Sequence, residues 1–599
     1  MLSRVLDCEK EIDWDTLQRR FPAIAFELCY GSYEKISCFQ DDIEKEMREW
    51  KDPVFLEGID ILYVYGAGLG HLYKELKDWL HSGKERRIVF FEENIAVLDA
   101  LFKQDIGSLM LSDLQVHFYY VAEESVWDSL LEECLRTWMS DRIEWIALRS
   151  YTVGKEKWLQ QIKLKLLRKS SYIHAKTSES MQYHRLIENI AANLLYIPHS
   201  FYANQLKGKF KNVPAVICGA GYSLGQEVDL LKQLETKALL IAGGSAITAL
   251  GHYGIKPHIA MAVDPNEEEY NRLKTISCFE TPFVFSSRLY REILPSTHMQ
   301  MGYLCSNTGG EFEAWVHDKL GIHFESFALK LGAEALSITT LAVAFAVELG
   351  CNPIVFCGVD LAYSNSQRYC PGVMPVSSVA LKDLEKIKIS RDRVVRRKNI
   401  EGQFVHTLIK WVMEASCLGS YAKAHPTITF FNLSSKGLPI LKAETVARET
   451  LMKEFLLHEY DLRGRLHSEA ELASFPEEAK FVLEESFKDL RCSFEACLVL
   501  FEQMQQEIEK EKMKVQDVSL PMPSGKMSVL EMDLEEQPAY IACLHPIFFV
   551  FERMLEWWSP INASLDHPEG RLLFLEKKAQ LWKNGKKITQ ECLCFLRSC

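Results

Sequence analysis

Five stretches of the chain bring together residue types that could handle a phosphorylated ligand. Gly219-Ala220-Gly221-Tyr222-Ser223-Leu224 follows the apolar run Val213–Cys218 and leads into a helical pattern. Glycines let a backbone approach a phosphate closely, Ser223 can cap the next helix, and free N–H groups there favour an anion. A tight strand-to-helix turn needs the same residues, so the loop alone does not decide. Gly243-Gly244-Ser245 ends the run Ala238–Ala242 and could lie against a base or ribose, or simply start a helix. Asp264 follows Ile259–Val263, and Asp360 follows Pro353–Cys357. A carboxylate at such a place can hold Mg²⁺, accept a hydrogen bond from a ribose hydroxyl, or act as a base. Either can equally serve as a turn or cap residue. Asn432 with Ser434, after Thr427–Phe431, could close the same crevice or cap a turn.

These residues need a scaffold that presents strand ends side by side. The runs at 213–218, 238–242 and 259–263 have the length and β-branched content of buried parallel strands. Open α/β sheets bind ligands at the carboxyl ends of their strands, so the stretch 213–264 implies one crevice. Phe283–Ser286, Met301–Cys305 and Pro353–Cys357 continue the pattern, and Ala333–Gly350 is expected as an apolar helix ending at Gly350. The span 213–440 is therefore expected as a central α/β domain. Residues 364–400, polar and then charged through Lys386, Lys388, Arg391, Arg393, Arg396, Arg397 and Lys398, are expected as an insertion or lid.

A first α/β unit is expected within 1–150. Strand and helix patterns alternate from Ile61–Tyr65 through Arg87–Phe91 and Gln115–Tyr120 to Ile143–Leu148, which implies a parallel sheet with right-handed crossovers. Gly66-x-Gly68-x-Gly70 after the first strand, with Glu92 ending the second, is a dinucleotide-style pattern without the exact GxGxxG spacing. It is open between a ligand site and a structural turn. Residues 151–212 are expected as a helical linker, and 441–599, where strand signals vanish, as a helical C-terminal domain. The helix end at Trp557-Trp558-Ser559-Pro560 is expected to pack on the core.

Composition narrows the function classes. A formal net charge of −13 argues against a general polyanion-binding role. The longest apolar run, near Ala335–Val347, falls short of the roughly 18–20 residues a membrane span needs. The N-terminal stretch has acids early and lacks the apolar core of a secretory signal. Seventeen cysteines are scattered singly, without a CxxC pair, which suits buried thiols in a reducing cytoplasm. Neither an HExxH zinc motif nor a Walker lysine is present, which disfavours zinc hydrolases and P-loop NTPases.

Taken in order, CGAGYSLG, IAGGSAITALGHYGIKP, MAVDP and ELGCNPIVFCGVDLAYS resemble the Maf (motility-associated factor) glycosyltransferase family, whose central domain is shared with 6-hydroxymethylpterin diphosphokinases of the MptE type. The family's GxGPSL loop matches Gly219–Leu224, its "PD…vDP" block Gly254–Pro265, and its "G.DLAy" block Leu349–Tyr363. Further blocks match Gly402–Thr407 and Phe431–Ile440. The N-terminal GAGLGHLYKEL and IVFFEEN are similar to the Maf Rossmann-like domain.

The resemblance implies two Rossmann-like domains, the central one sialyltransferase-like, and a helical C-terminal part. It implies transfer of a nonulosonic acid from a CMP-sugar to a protein hydroxyl. In the MptE branch it implies diphosphate transfer from ATP to a pterin alcohol with Mg²⁺, for which Asp264 and Asp360 are ligand candidates. Gly219, Gly221, Ser223 and Asp264 would be nucleotide contacts, and Asp360 with Asn432 would serve the acceptor side. The chain departs from the pattern at Tyr222, at His258 and at Tyr369, which stands near the place of the family's histidine. Retention of the fold as a binding or scaffold module is the third reading.

Overall fold

The computed structural model describes residues 2–5, 10–34, 38–41, 56–274, 281–306, 308–322, 337–364, 367–373, 386–434, 436–557, 565 and 567–598. The chain forms two compact units. One comprises Met1–Lys176 with Lys382–Val394, the other Thr177–Leu381 with Val395–Cys599. Among the described residues no helix is long and apolar enough to cross a membrane.

In the first unit β1 (Leu2–Val5) pairs antiparallel with β2 (Cys38–Asp41). The main sheet holds β3 (Ile61–Tyr65), β4 (Arg87–Glu92), β5 (Val116–Tyr120) and β6 (Ile143–Ala147), all parallel, in the order β5-β4-β3-β6. The glycine turn after β3 is filled from within its own unit. A Cβ on Gly66 would fall 2.5 Å from the ring of Tyr151. The Tyr151 hydroxyl donates to Glu92 Oε2 at 2.7 Å, and the Ala67 N–H donates to the same oxygen at 2.9 Å. Of the two readings of the Gly66–Gly70 pattern, this geometry fits the structural turn.

Part of the charged run expected as a lid also belongs to this unit. Arg393 is buried, donating to Glu144 at 2.8 Å and to the carbonyls of Ile143 and Lys388. Residues 374–385 lie outside the described residues.

The second unit is built on a nine-stranded parallel sheet. Its strands are β7 (Phe201–Tyr202), β8 (Ala215–Cys218), β9 (Leu239–Gly243), β10 (Ile259–Ala262), β11 (Phe283–Phe285), β12 (Met301–Tyr303), β13 (Ile354–Cys357), β16 (Phe430–Asn432) and β17 (Ala443–Thr445). A two-stranded ribbon, β14 (Val394–Lys398) and β15 (Phe404–Leu408), interrupts the series. The spatial order is β17-β16-β13-β8-β9-β10-β11-β12-β7. From β8 the chain winds one way through β12, then returns to the other side of β8 for β13. The topological switch therefore lies between β8 and β13. Ala215–Cys218 and Ile354–Cys357 are buried throughout, as strands covered on both faces must be.

Helix Ile338–Glu348 crosses the sheet, starting later than the apolar pattern implied. Ser337 adopts extended backbone and forms a capping box with Thr340, which fixes the start. The expected beginning of this helix, Ala333–Leu336, lies outside the described residues.

Of the segment expected as a linker, residues 177–212 belong to the second unit and 151–176 to the first, and the segment expected as a separate helical domain joins the second unit's core. Helix Glu156–Met181 carries the chain across the boundary at Lys176, and helix Tyr183–Leu194 is buried with the sheet and the C-terminal helices in one cluster. The 35-residue helix Glu478–Lys512 shows why. Leu483, Phe487, Leu490, Phe494, Cys497, Phe501, Met504 and Ile508 are spaced alternately by four and three residues, and all are buried. Such spacing keeps one seam against a partner helix. The partner is Pro568–Ser598, running in the opposite direction, as the pairs Arg597–Glu495 and Lys586–Glu502 show. Trp557 ends helix His545–Trp557, and Trp558–Pro560 lie outside the described residues.

Candidate functional site

Parallel registration sets Cys357 beside Cys218, so the residues that follow, Gly358 and Gly219, leave the sheet side by side. A Cβ on either glycine would meet the other's carbonyl oxygen. Gly221 donates its N–H to the Gly358 carbonyl at 2.8 Å, and a Cβ there would lie 2.6 Å from that oxygen and 2.7 Å from Asp360 Oδ2. The glycines thus let two strand ends touch. This is a physical reason for GxG that differs from a phosphate cradle.

Asp360, only 2% exposed, ties three loops together. It accepts from the Ser223 N–H at 2.9 Å, the Ser223 hydroxyl at 2.5 Å and the Ser434 hydroxyl at 2.8 Å. Behind it, the Leu438 N–H donates to the Asp360 carbonyl at 2.8 Å. Ser223 does not hold its N–H and hydroxyl ready for an anion, because both serve Asp360. Both Asp360 oxygens accept hydrogen bonds from the neighbouring loops, so the residue is a strut that fixes the crevice.

A cavity of about 500 Å³ opens at these strand ends. Tyr222, Ser223, Gln226 and Glu227 line it from beyond β8, Ser364 from beyond β13, Leu433, Ser434 and Lys436 from beyond β16, and Thr445–Glu449 from the end of β17. Its volume is ordinary for a small-molecule site, and its place is where an open α/β sheet binds ligands. Arg448 forms a two-point pair with Glu227 at 2.7 Å and donates to the Gln226 carbonyl at 3.1 Å. Lys436 is exposed on the wall. Asn432 lies at the end of β16, beside Phe356 of β13. It is 1% exposed, its Oδ1 accepts from the Ser434 N–H, and its Nδ2 has no hydrogen-bond partner among the described residues.

The remaining expected residues fall elsewhere on the sheet. Gly243 packs against Ile338, and Ser245 opens helix Ser245–His252. Asp264, beyond β10, accepts from Asn266 at 2.8 Å and does not line the cavity. β13 and β10, whose ends lead to Asp360 and Asp264, stand three strand spacings apart in the sheet, roughly 14 Å. Among the described residues no group of three or more acidic, histidine or cysteine side chains is placed to hold a metal ion.

His258 stands just before β10, at the amino ends of the strands, where its Nδ1 accepts from the Leu240 N–H at 2.9 Å. Burial keeps it neutral, with its pKa pushed down to about 3. This departure from the family pattern therefore does not touch the crevice. Tyr369 is half-buried on the segment whose Cys370 N–H donates to the Ala220 carbonyl at 2.9 Å, under the Arg368 guanidinium.

Glu269 escaped notice in the sequence because the last of three consecutive glutamates at a helix start looks solvated. It is buried, its Oε1 lies 2.9 Å from where a Gly244 Cβ would stand, and it pairs with Arg272 at 3.0 Å. Burial first, and Asp264 second, push its pKa from 4.5 up to about 7. A carboxyl whose pKa rises on folding stabilises the fold while protonated, and that stabilisation is lost as pH rises through about 7. Between about pH 5 and pH 8 the wild type should lose roughly 3 kcal/mol that a Glu269→Gln variant keeps. Urea melts of both proteins across that range check it; parallel profiles would show that Glu269 ionises freely.

Residues 188–366 match the family model described as 6-hydroxymethylpterin diphosphokinase MptE-like. No curated protein matches the chain in sequence. Among solved structures, the chain is similar to the MAf glycosyltransferase from Magnetospirillum magneticum AMB-1, with 12% identity and a TM-score of 0.41 over 97% of this chain and 94% of that one. Across residues 188–366, which carry the Gly219–Ser223 loop, Asp264 and Asp360, the chain is thus similar to the MptE-like family.

Proposed function

We propose that the chain is a transferase that takes a nucleotide-activated sugar into the crevice between the ends of β8 and β13. The donor class is a CMP-linked nonulosonic acid, and the acceptor is a protein hydroxyl. The observation that carries this reading is the cavity of about 500 Å³ at the topological switch, lined by Lys436, Arg448, Tyr222, Ser223, Ser364 and Ser434 among others. The ordered Maf-like sequence blocks supply the choice of glycosyl transfer.

In this reading the bond between the anomeric carbon and the phosphate breaks as the acceptor oxygen attacks. Lys436 and Arg448 stabilise the charge growing on the leaving phosphate. Glu449, on the same wall and without an ion pair among the described residues, takes the acceptor's proton. Asp360 acts through the loops it fixes. Buried thiols such as Cys218, Cys351 and Cys357 fit a reducing cytoplasm as the site of action.

The MptE-like match favours a second reading, diphosphate transfer from ATP to a pterin alcohol. In that case Mg²⁺ would enter on the ATP phosphates, with the described residues adding few ligands.

Thermal-shift titration with CMP, CMP-sugars, and ATP with and without Mg²⁺ separates the two. Stabilisation by the CMP compounds supports glycosyl transfer, and stabilisation by ATP only with Mg²⁺ supports the kinase. No shift with any of them would leave a scaffold without a donor site.

A further inference from the structure

The charged run after residue 390 has a second part that the fold does not consume. In the ribbon β14–β15, Val395 and Val405 turn inward and pack against Leu361, Ala362, Val412 and Leu438. Strand alternation then puts Arg396, Lys398 and Phe404 on the opposite face. All three are exposed, Phe404 by 61%. The Arg396 guanidinium lies 5.2 Å and the Lys398 ammonium 5.8 Å from the centre of the Phe404 ring. Neither cation has a carboxylate partner among the described residues. In a chain of net charge −13, this face is a local inversion of sign.

Its position gives it meaning. The Ile400 N–H, in the ribbon's turn, donates to the Gly437 carbonyl at 3.1 Å, next to Lys436 on the cavity wall. At the other end, the His406 carbonyl accepts from Tyr363 at 2.9 Å, beside the cavity residue Ser364. The Thr407 hydroxyl donates to the Leu361 carbonyl at 2.6 Å. The ribbon is thus fastened to both segments that form one rim of the crevice.

We propose that the outer face of this ribbon docks an acidic polypeptide segment bearing an apolar side chain, and that this segment presents the acceptor hydroxyl to the crevice. The inference rests on the transferase reading above. Two cations flanking one aromatic ring match a short acidic–apolar motif. They form too small a footprint for a nucleic acid on a chain this acidic, because such binding grows with the number of phosphates neutralised.

The test uses the full chain and a fluorescein-labelled peptide of Asp-Ser-Phe repeats, with a Lys-Ser-Phe peptide and an oligothymidylate as controls, read by anisotropy. The acidic peptide should bind the wild type more weakly as salt rises. Its affinity should fall about tenfold or more in an Arg396→Glu/Lys398→Glu variant. An Arg396→Gln/Lys398→Gln variant should fall between, and circular dichroism should show all three folded. Equal binding of the acidic peptide to wild type and variants, no binding to any, or preference for the oligothymidylate would overturn the proposal. Nucleotide-induced stabilisation, measured in the same variants, should be unchanged. If it persists while the peptide fails, only the docking face is wrong; if no nucleotide stabilises any form, the transferase reading fails.

Discussion

Replacing Gly221 by alanine should destabilise the second unit by about 2–3 kcal/mol and distort the crevice. The backbone is not the obstacle, because Gly221 has φ −63° and ψ 162°, which alanine adopts freely. The obstacle is space. The new methyl would lie 2.6 Å from the Gly358 carbonyl oxygen and 2.7 Å from Asp360 Oδ2. Neither neighbour yields cheaply, since one is backbone held in register by β8 and the other is a carboxylate held by two serines. Denaturant unfolding measures the loss. An unperturbed Gly221→Ala would mean that the loops can part, and that the glycine serves a ligand instead.

Asp360→Ala should cost more, about 3–5 kcal/mol, because it strands the Ser223 N–H and two hydroxyls in a buried place. Asp360→Asn is the informative companion. Its carbonyl oxygen can accept from the Ser223 N–H while its amide donates to the hydroxyls of Ser223 and Ser434, which then act as acceptors. A strut survives that exchange at about 1 kcal/mol, with ligand binding largely retained. A base or metal ligand does not, and both variants would then lose function alike. Parallel unfolding and binding measurements on the pair distinguish the roles.

The frame of the sheet was legible because buried parallel strands are short apolar runs, and Val213–Cys218 or Pro353–Cys357 could be little else. The edge strands were not. β7 is two residues long, and β17 is Ala-Glu-Thr, a polar edge with no apolar run. Missing β17 set the domain boundary at 440 and so hid Arg448, which stands on the cavity wall just beyond it.

The loop residues Gly219, Gly221 and Ser223 were found, but one role that the structure gives them was not legible. That role is contact with Gly358 and Asp360, and Ser223 is 137 residues from Asp360 in sequence. No local pattern records such a partnership. Glu269 and the ribbon face stayed hidden for the same reason, since burial and exposure of a charge depend on neighbours distant in the chain.

Hydrogen–deuterium exchange during titration with CMP or a CMP-sugar tests the placement of the donor most directly. The account predicts protection at 219–227 and 445–449, where the cavity walls meet the ligand, and little change at the amino ends of the strands around His258. Binding with protection confined to other segments, or no binding at all, would contradict it.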